Sequence, residues 1–185
     1  MTPEQVKELE EKRKKMVQAE QERLEKEPIE TKFIRAVKSM DLSRMKDLIK
    51  QNEKTIKKRK DSISKNNQAS PTKVIENLCA FKGDENGFTP LHWACLGGDA
   101  KIIEFLLDNR ADIDAVNNRG EPPIFWAVIK GHASAVRCMM ERNCNLHISD
   151  GKGYNVMHHV CLLFHVRSDK YLVANISFVL TGCAK

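Results

Sequence analysis

The second half of the chain repeats itself every 33 residues. The register holds at separate points, since Gly98 aligns with Gly131 and Ile103 aligns with Val136. A period of this length is typical of chains built from stacked supersecondary units, none of which buries its apolar face alone. The aligned strings are GFTPLHWA at 87–94, GEPPIFWA at 120–127 and GYNVMHHV at 153–160.

The first string carries the most specific pattern. Thr89, Pro90, Leu91 and His92 resemble the Thr-Pro-Leu-His signature of the ankyrin repeat family. The resemblance covers about residues 84–180, as three copies. It implies an all-α ankyrin solenoid, in which each unit is a β-hairpin-like turn followed by two antiparallel helices. Thr89 is placed to cap the first helix, and Pro90 suits the first turn, where a missing N–H costs nothing.

The second and third copies depart from this signature. Pro122 replaces the capping threonine and Phe125 replaces the histidine, so that pair of side chains cannot form its hydrogen bond. In the third copy Asn155 stands in the threonine position and Phe164 in that of the turn glycine. We expect the C-terminal copy to be the least stable, because an array frays from an end with one neighbour.

A weaker copy of the pattern lies upstream, at residues 32–51. Ala36 corresponds to Ala94 and Asp41 corresponds to Asp99, at an offset of 58 that implies a 25-residue insertion before the regular array. Charged residues at its outer positions suit an end cap. We predict a degenerate N-terminal ankyrin-like cap here.

The remaining segments are charged or polar. Residues 1–31 predict a charged, solvated single helix rather than a coiled coil, because their apolar positions are sparse. Residues 52–83 read as a basic and polar linker, with a mobile loop first and a short helix over 72–81. Within it, the run Lys57–Lys60 has the composition of a nuclear import signal, or is a solvated charge run. Residues 181–185 form a tail.

Charge and composition limit the class of protein. The net charge of +6 lies entirely in residues 1–60, which hold 18 basic and 12 acidic side chains. No apolar run of about 18 residues exists and the first residues are polar, which argues against membrane insertion and secretion. Six cysteines are scattered without a tight spacing. They indicate reduced thiols in a cytoplasmic or nuclear protein.

No residue pattern in the chain predicts chemistry. His92 is better explained as the repeat's own histidine, bonded to Thr89 and to neighbouring turn backbone, than as a base. His158, His159 and Cys161 lack the paired spacing of a zinc site. We therefore expect no catalytic residue, no cofactor and no metal.

The resemblance instead implies a concave surface made by turn tips and first helices, where an ankyrin array holds a partner protein. An apolar strip rimmed by charges is expected on that surface. The residues carried over to it are Glu85, Asn86, Phe88, Leu96, Asn118, Arg119, Glu121, Ile129, Lys130, Lys152, Tyr154 and Leu162.

The leading interpretation is a non-enzymatic, monomeric adaptor or scaffold that binds another protein. One alternative is a regulatory or targeting module of a larger enzyme, such as an ankyrin-containing S-acyltransferase. Another is a nucleic-acid-associated factor that uses the basic N-terminal third, although nucleic acid is an unlikely partner. The last alternative predicts a steep salt dependence of binding.

Overall fold

A computed structural model describes residues 3–65, 78–81 and 84–166, with side chains over 10–58, 78–81 and 84–162. This part of the chain is all-α and contains no strand, as the sequence predicts. Within it, no helix is long and apolar enough to cross a membrane. The helices are α1 Pro3–Lys26, α2 Ile29–Lys38, α3 Leu42–Lys65, α4 Pro90–Gly97, α5 Ala100–Asp108, α6 Pro123–Lys130, α7 Ala133–Glu141 and α8 Val156–Val166, with one 3-10 turn at Leu78–Ala80.

The helices stack as a solenoid of antiparallel pairs. The first helices of the pairs form an inner row in which α2 contacts α4, α4 contacts α6 and α6 contacts α8. Their partners α3, α5 and α7 lie behind them, and α5 also packs on α7. One hydrophobic core runs through the whole stack, from Phe33 in α2 to Val160 in α8. The pair α2–α3 thus sits on the N-terminal end of the array.

Local sequence explains where α4 and α5 begin and end. Thr89 is the N-cap of α4 and Pro90 its first residue, while Gly98 ends the helix in the left-handed region at φ 78°. The Asp99 carboxylate then accepts a hydrogen bond from the Lys101 N–H at 2.9 Å and caps α5. Left-handed backbone at a helix end favours glycine, because it has no Cβ to clash.

His92 joins one repeat to the next. Its Nδ1 accepts the Thr89 N–H at 3.0 Å and lies 2.8 Å from the Thr89 hydroxyl. Because Nδ1 accepts, Nε2 carries the proton and donates to the Glu121 carbonyl of the next turn at 3.0 Å. The side chain is fully buried. The predicted role of His92 is therefore confirmed.

The other two copies hold their turns and first helices with different side chains. Pro122 caps α6 without a side-chain hydrogen bond, and the buried Phe125 ring packs on His159 of α8, with centroids 4.7 Å apart. In the third copy, Nδ1 of His158 accepts the Asn155 N–H at 3.1 Å. Asn155 and His158 thereby reproduce the arrangement of Thr89 and His92, here on an exposed side chain.

Three boundaries differ from those predicted. Helix α3 continues to Lys65, so residues 52–65, including Lys57–Lys60, are helical and the predicted loop is wrong there. Helix α1 ends at Lys26, and residues 29–31 belong to α2. Helix α8 runs through Phe164 to Val166 because no glycine stops it at that position.

Other predicted features fall outside the described residues. Of the helix predicted over 72–81, only residues 78–81 are described, and they form a 3-10 turn at Leu78–Ala80. The second helix of the third copy and the tail lie in residues 167–185, which are not described.

The described cysteines are free thiols and four of the five are buried. Burial raises the pKa of Cys79 and of Cys144 to about 12, and it raises that of Cys95 as well. Cys161 on α8 is exposed. The four buried thiols fill the core as small apolar groups.

We predict that alkylation will distinguish these thiols. At pH 8 in native protein, iodoacetamide should label the exposed Cys161 much faster than Cys79 or Cys144, because those two thiols are buried and a pKa of about 12 leaves little reactive thiolate. Peptide mass spectrometry at timed quenches measures the rates. Urea should abolish the difference, and equal labelling in native protein would contradict the packing.

We predict that Gly98→Ala costs more stability than Gly153→Ala. Both glycines have positive φ, so alanine is strained by about 1 kcal/mol at either position. At Gly98 a Cβ would also lie 2.4 Å from the His132 ring, whereas nothing lies within 4 Å at Gly153. Urea unfolding should give at least about 2 kcal/mol for Gly98→Ala. Equal losses would show that His132 is not fixed there.

A second pair of variants tests the histidine link. His92→Ala removes the partner of the buried Thr89 N–H, leaves the Glu121 carbonyl with only its bond from the Asn117 N–H and opens a cavity, so we expect a loss of about 2–4 kcal/mol. His158→Ala removes the equivalent but exposed ring and should cost about 1 kcal/mol or less. Urea unfolding followed by circular dichroism measures both. A small effect of His92→Ala would refute its linking role.

Candidate partner-binding face

The three turns that precede α4, α6 and α8 are built alike. Asp84, Asn117 and Asp150 lie 33 residues apart, and each side-chain oxygen accepts two backbone N–H groups, two and four residues ahead. Although desolvation opposes it, hydrogen bonds from the N–H groups of Tyr154 and Lys152 lower the pKa of Asp150. The turns are therefore held closed by their own first residue.

Hydrogen bonds join the tips of these turns into one edge. The Asn118 N–H donates to the Asn86 carbonyl at 3.0 Å, and its side-chain amide donates to the Glu85 carbonyl at 2.7 Å. One repeat further, the Gly151 N–H donates to the Arg119 carbonyl at 2.8 Å. The side chains of Glu85, Asn86 and Arg119 are exposed along this edge. Stacking thus presents them in a fixed row.

An aromatic cluster lies where the first turn meets the inner helices. The Phe88 ring lies 5.3 Å from that of Trp93 and 5.1 Å from that of Trp126, centroid to centroid. Lys38 of α2 places its Nζ 3.8 Å from the centroid of the Trp93 ring, a cation–π contact. All three rings are half-buried. They bridge two repeats and still show an aromatic edge to solvent.

The third copy continues the row with different side chains. Tyr154 occupies the position of Phe88 and is 49% exposed. Its ring lies 5.6 Å from His158 and 6.4 Å from His159. His159 occupies the position of the two tryptophans, and its Nε2 lies 3.6 Å from the Asp150 carboxylate. On α8, Leu162 is 60% exposed.

The predicted binding residues belong to the three turns and to the first helices α4, α6 and α8, a surface that we call the inner face, and not all of them are exposed. Sequence reasoning expected an exposed apolar strip, and Phe88 is half-buried because it packs on both tryptophans. Glu121 is held by the Asn117 amide at 2.7 Å. The exposed members are Glu85, Asn86, Asn118, Arg119, Lys130, Lys152, Tyr154 and Leu162, and the half-buried ones are Phe88, Leu96, Glu121 and Ile129.

Lys38 was missed from the sequence. It belongs to the degenerate copy, whose alignment marked it only as an outer, solubilising charge. The cation–π contact with Trp93 brings it onto the inner face. Exposed Lys38, Arg119, Lys130 and Lys152 outnumber Glu85 among the charges there, so the inner face is basic.

Within the described residues no group of three His, Cys, Asp or Glu side chains is placed to hold a metal ion. A cleft of about 410 Å³ lies away from the inner face, between α3, the 3-10 turn and the end of α5. Its charged lining residues are Glu53, Asp108 and Arg110.

Comparison with known proteins agrees with this geometry. Residues 86–118 match the family model of the ankyrin repeat, a span that runs from one turn tip through α4 and α5 to the next tip. The chain is also similar to proteins named "Scaffold protein ILK" from Cavia porcellus, Mus musculus and Homo sapiens, each 48% identical over 40 residues. That segment is 22% of this chain and 9% of each relative, so the chain spans a small part of their length.

The matched repeat, the 33-residue spacing of the turns and the stacked helix pairs together show that residues 86–118 are an ankyrin repeat and that the described array is consistent with an ankyrin-repeat solenoid.

Proposed function

We propose that the chain is a non-catalytic adaptor that holds a partner protein against its inner face. The observation that carries the proposal is the row of half-exposed rings and apolar side chains that stacking leaves uncovered, from Trp93 through Trp126 to Tyr154. An exposed apolar and aromatic surface with a charged rim is the composition of a protein interface. The scaffold name of the relatives supports the same class of role.

The charges around the rings indicate the chemistry of the partner. Lys38, Arg119, Lys130 and Lys152 are exposed, whereas Glu121 is half-buried and bonded to Asn117. Cationic groups beside aromatic rings favour a segment that carries carboxylates next to apolar side chains. The proposed partner therefore presents an acidic and apolar surface.

Rigidity is the mechanism by which such a face works. Its side chains stand on helices and closed turns that are already ordered, so binding costs little conformational entropy. No chemical step is involved. The function is to hold the partner at a fixed place and orientation relative to the rest of the chain.

We predict that charge reversal on the inner face, and not behind it, abolishes partner capture. The inner variant is Arg119→Glu with Lys130→Glu. The matched control is Lys101→Glu with Arg137→Glu on the outer helices α5 and α7, which changes the net charge equally. All four side chains are exposed. Affinity capture from cell extract with quantitative mass spectrometry should show proteins kept by the control and lost by the inner variant.

Tyr154→Ala provides an independent check on those same proteins. Because an aromatic anchor is worth about 2 kcal/mol or more, we expect roughly thirtyfold weaker binding by calorimetry with unchanged circular dichroism. Capture lost equally in the outer control, or unaffected by both inner variants, would place the interface elsewhere.

A further inference from the structure

Helix α1 exposes apolar side chains that pack against nothing in the described structure. Met16 is 74% exposed and Val17 is 54% exposed. Among the side chains described in α1, only Leu24 is half-buried. Isolated apolar residues on a surface are ordinary, so exposure alone does not identify a partner.

The charges beside these apolar residues indicate what the partner is. Arg13, Met16, Val17, Glu20 and Leu24 follow one another at helical spacings of one, three and four residues and so share one face of α1. A shallow furrow beside this face shares Arg13 and Val17 with it. Arg13 and Glu20 are two turns apart, roughly 10 Å along the axis, too far to pair within one helix. The face therefore has a positive site and a negative site on either side of an apolar centre.

Two copies of this face match each other when the helices are antiparallel, but not when they are parallel. If a second α1 lies antiparallel, with the two-fold axis between positions 16 and 17, Met16 faces Val17 of the other copy. Arg13 then faces Glu20, twice by symmetry, and Leu24 falls opposite position 9, where the sequence also has leucine. A parallel pair would instead set Arg13 against Arg13 and Glu20 against Glu20, which like-charge repulsion disfavours.

We propose that the chain self-associates through α1 as an antiparallel helix pair, with Met16 and Val17 at the centre and two Arg13–Glu20 ion pairs fixing the register. The partner is a second copy of this chain. This differs from the monomer expected from the sequence and is independent of the proposed adaptor function. Polar groups at otherwise apolar helix contacts set orientation and register at some cost in affinity, so the expected dimer is weak.

The geometry also has a consequence for the arrays. Each array begins at Ile29, directly after the C-terminal end of its α1. In an antiparallel pair with its two-fold axis between positions 16 and 17, these ends point in opposite directions and lie about 28 Å apart along the helix axes. The two inner faces are therefore held apart, and both remain open to partners.

Sedimentation of the full chain under reducing conditions tests the proposal. The variants are Arg13→Glu, Glu20→Arg and the double exchange of both. Each single reversal places like charges opposite each other twice, so the association constant should fall at least about tenfold. The double exchange restores both pairs in the antiparallel register and should recover it. Because these side chains are exposed, circular dichroism should be unchanged throughout.

Each outcome decides. A wild-type chain that stays monomeric up to about 100 µM, or a dimer insensitive to both single reversals, overturns the proposal. Loss in the single variants without recovery in the double exchange overturns the antiparallel register. As a further arm, equimolar Arg13→Glu and Glu20→Arg chains should associate when mixed, although neither does so alone.

Discussion

Stacking of one short helix pair on the next is the constraint on which this structure depends. Helices α4 to α7 have eight or nine residues, a length that is marginal for an isolated helix in water. Their stability comes from neighbours: Leu91, Ile103 and Phe125 are fully buried in one continuous core. Apolar burial is not directional, but the hydrogen bonds of His92 are. Its two ring nitrogens bond the Thr89 cap and the Glu121 carbonyl at once. Register between repeats is thereby fixed.

The inner face follows from the same constraint. Stacking uses the apolar positions that point into the core, and it leaves the turn tips and one side of each first helix uncommitted. Phe88 both joins repeats and contributes to the inner face, since its ring packs on Trp93 and Trp126 and remains partly exposed. A surface built on such residues is rigid because its members also hold the repeats together. Tyr154, which lacks a tryptophan beside it, is more exposed at the same position.

The sequence predicted the features that depend on residues close together in the chain, and it missed those that depend on contacts between separate helices. The 33-residue period and the Thr89 cap depend on single residues and their spacing, and the ankyrin resemblance that these residues carry implied the fold class. Exposure at Phe88 depends on two tryptophans brought together only by stacking. The position of Lys38 depends on how α2 packs on α4. Residues 52–65 were misjudged because their charges suggested a loop, whereas lysine, arginine and glutamate are strong helix formers.

Helix α1 is not part of the stacked array, so stacking does not explain its apolar residues. Within the array, an apolar residue is explained by the neighbouring repeat, but nothing in the described structure covers Met16 or Val17. If the antiparallel pair forms, two arrays that follow helix ends about 28 Å apart act as one bivalent unit. A partner with two binding segments would then be held far more tightly than by either array alone, because the second contact becomes intramolecular. Weak pairing of α1 suffices for this effect, since partner binding and dimerisation reinforce each other through linkage.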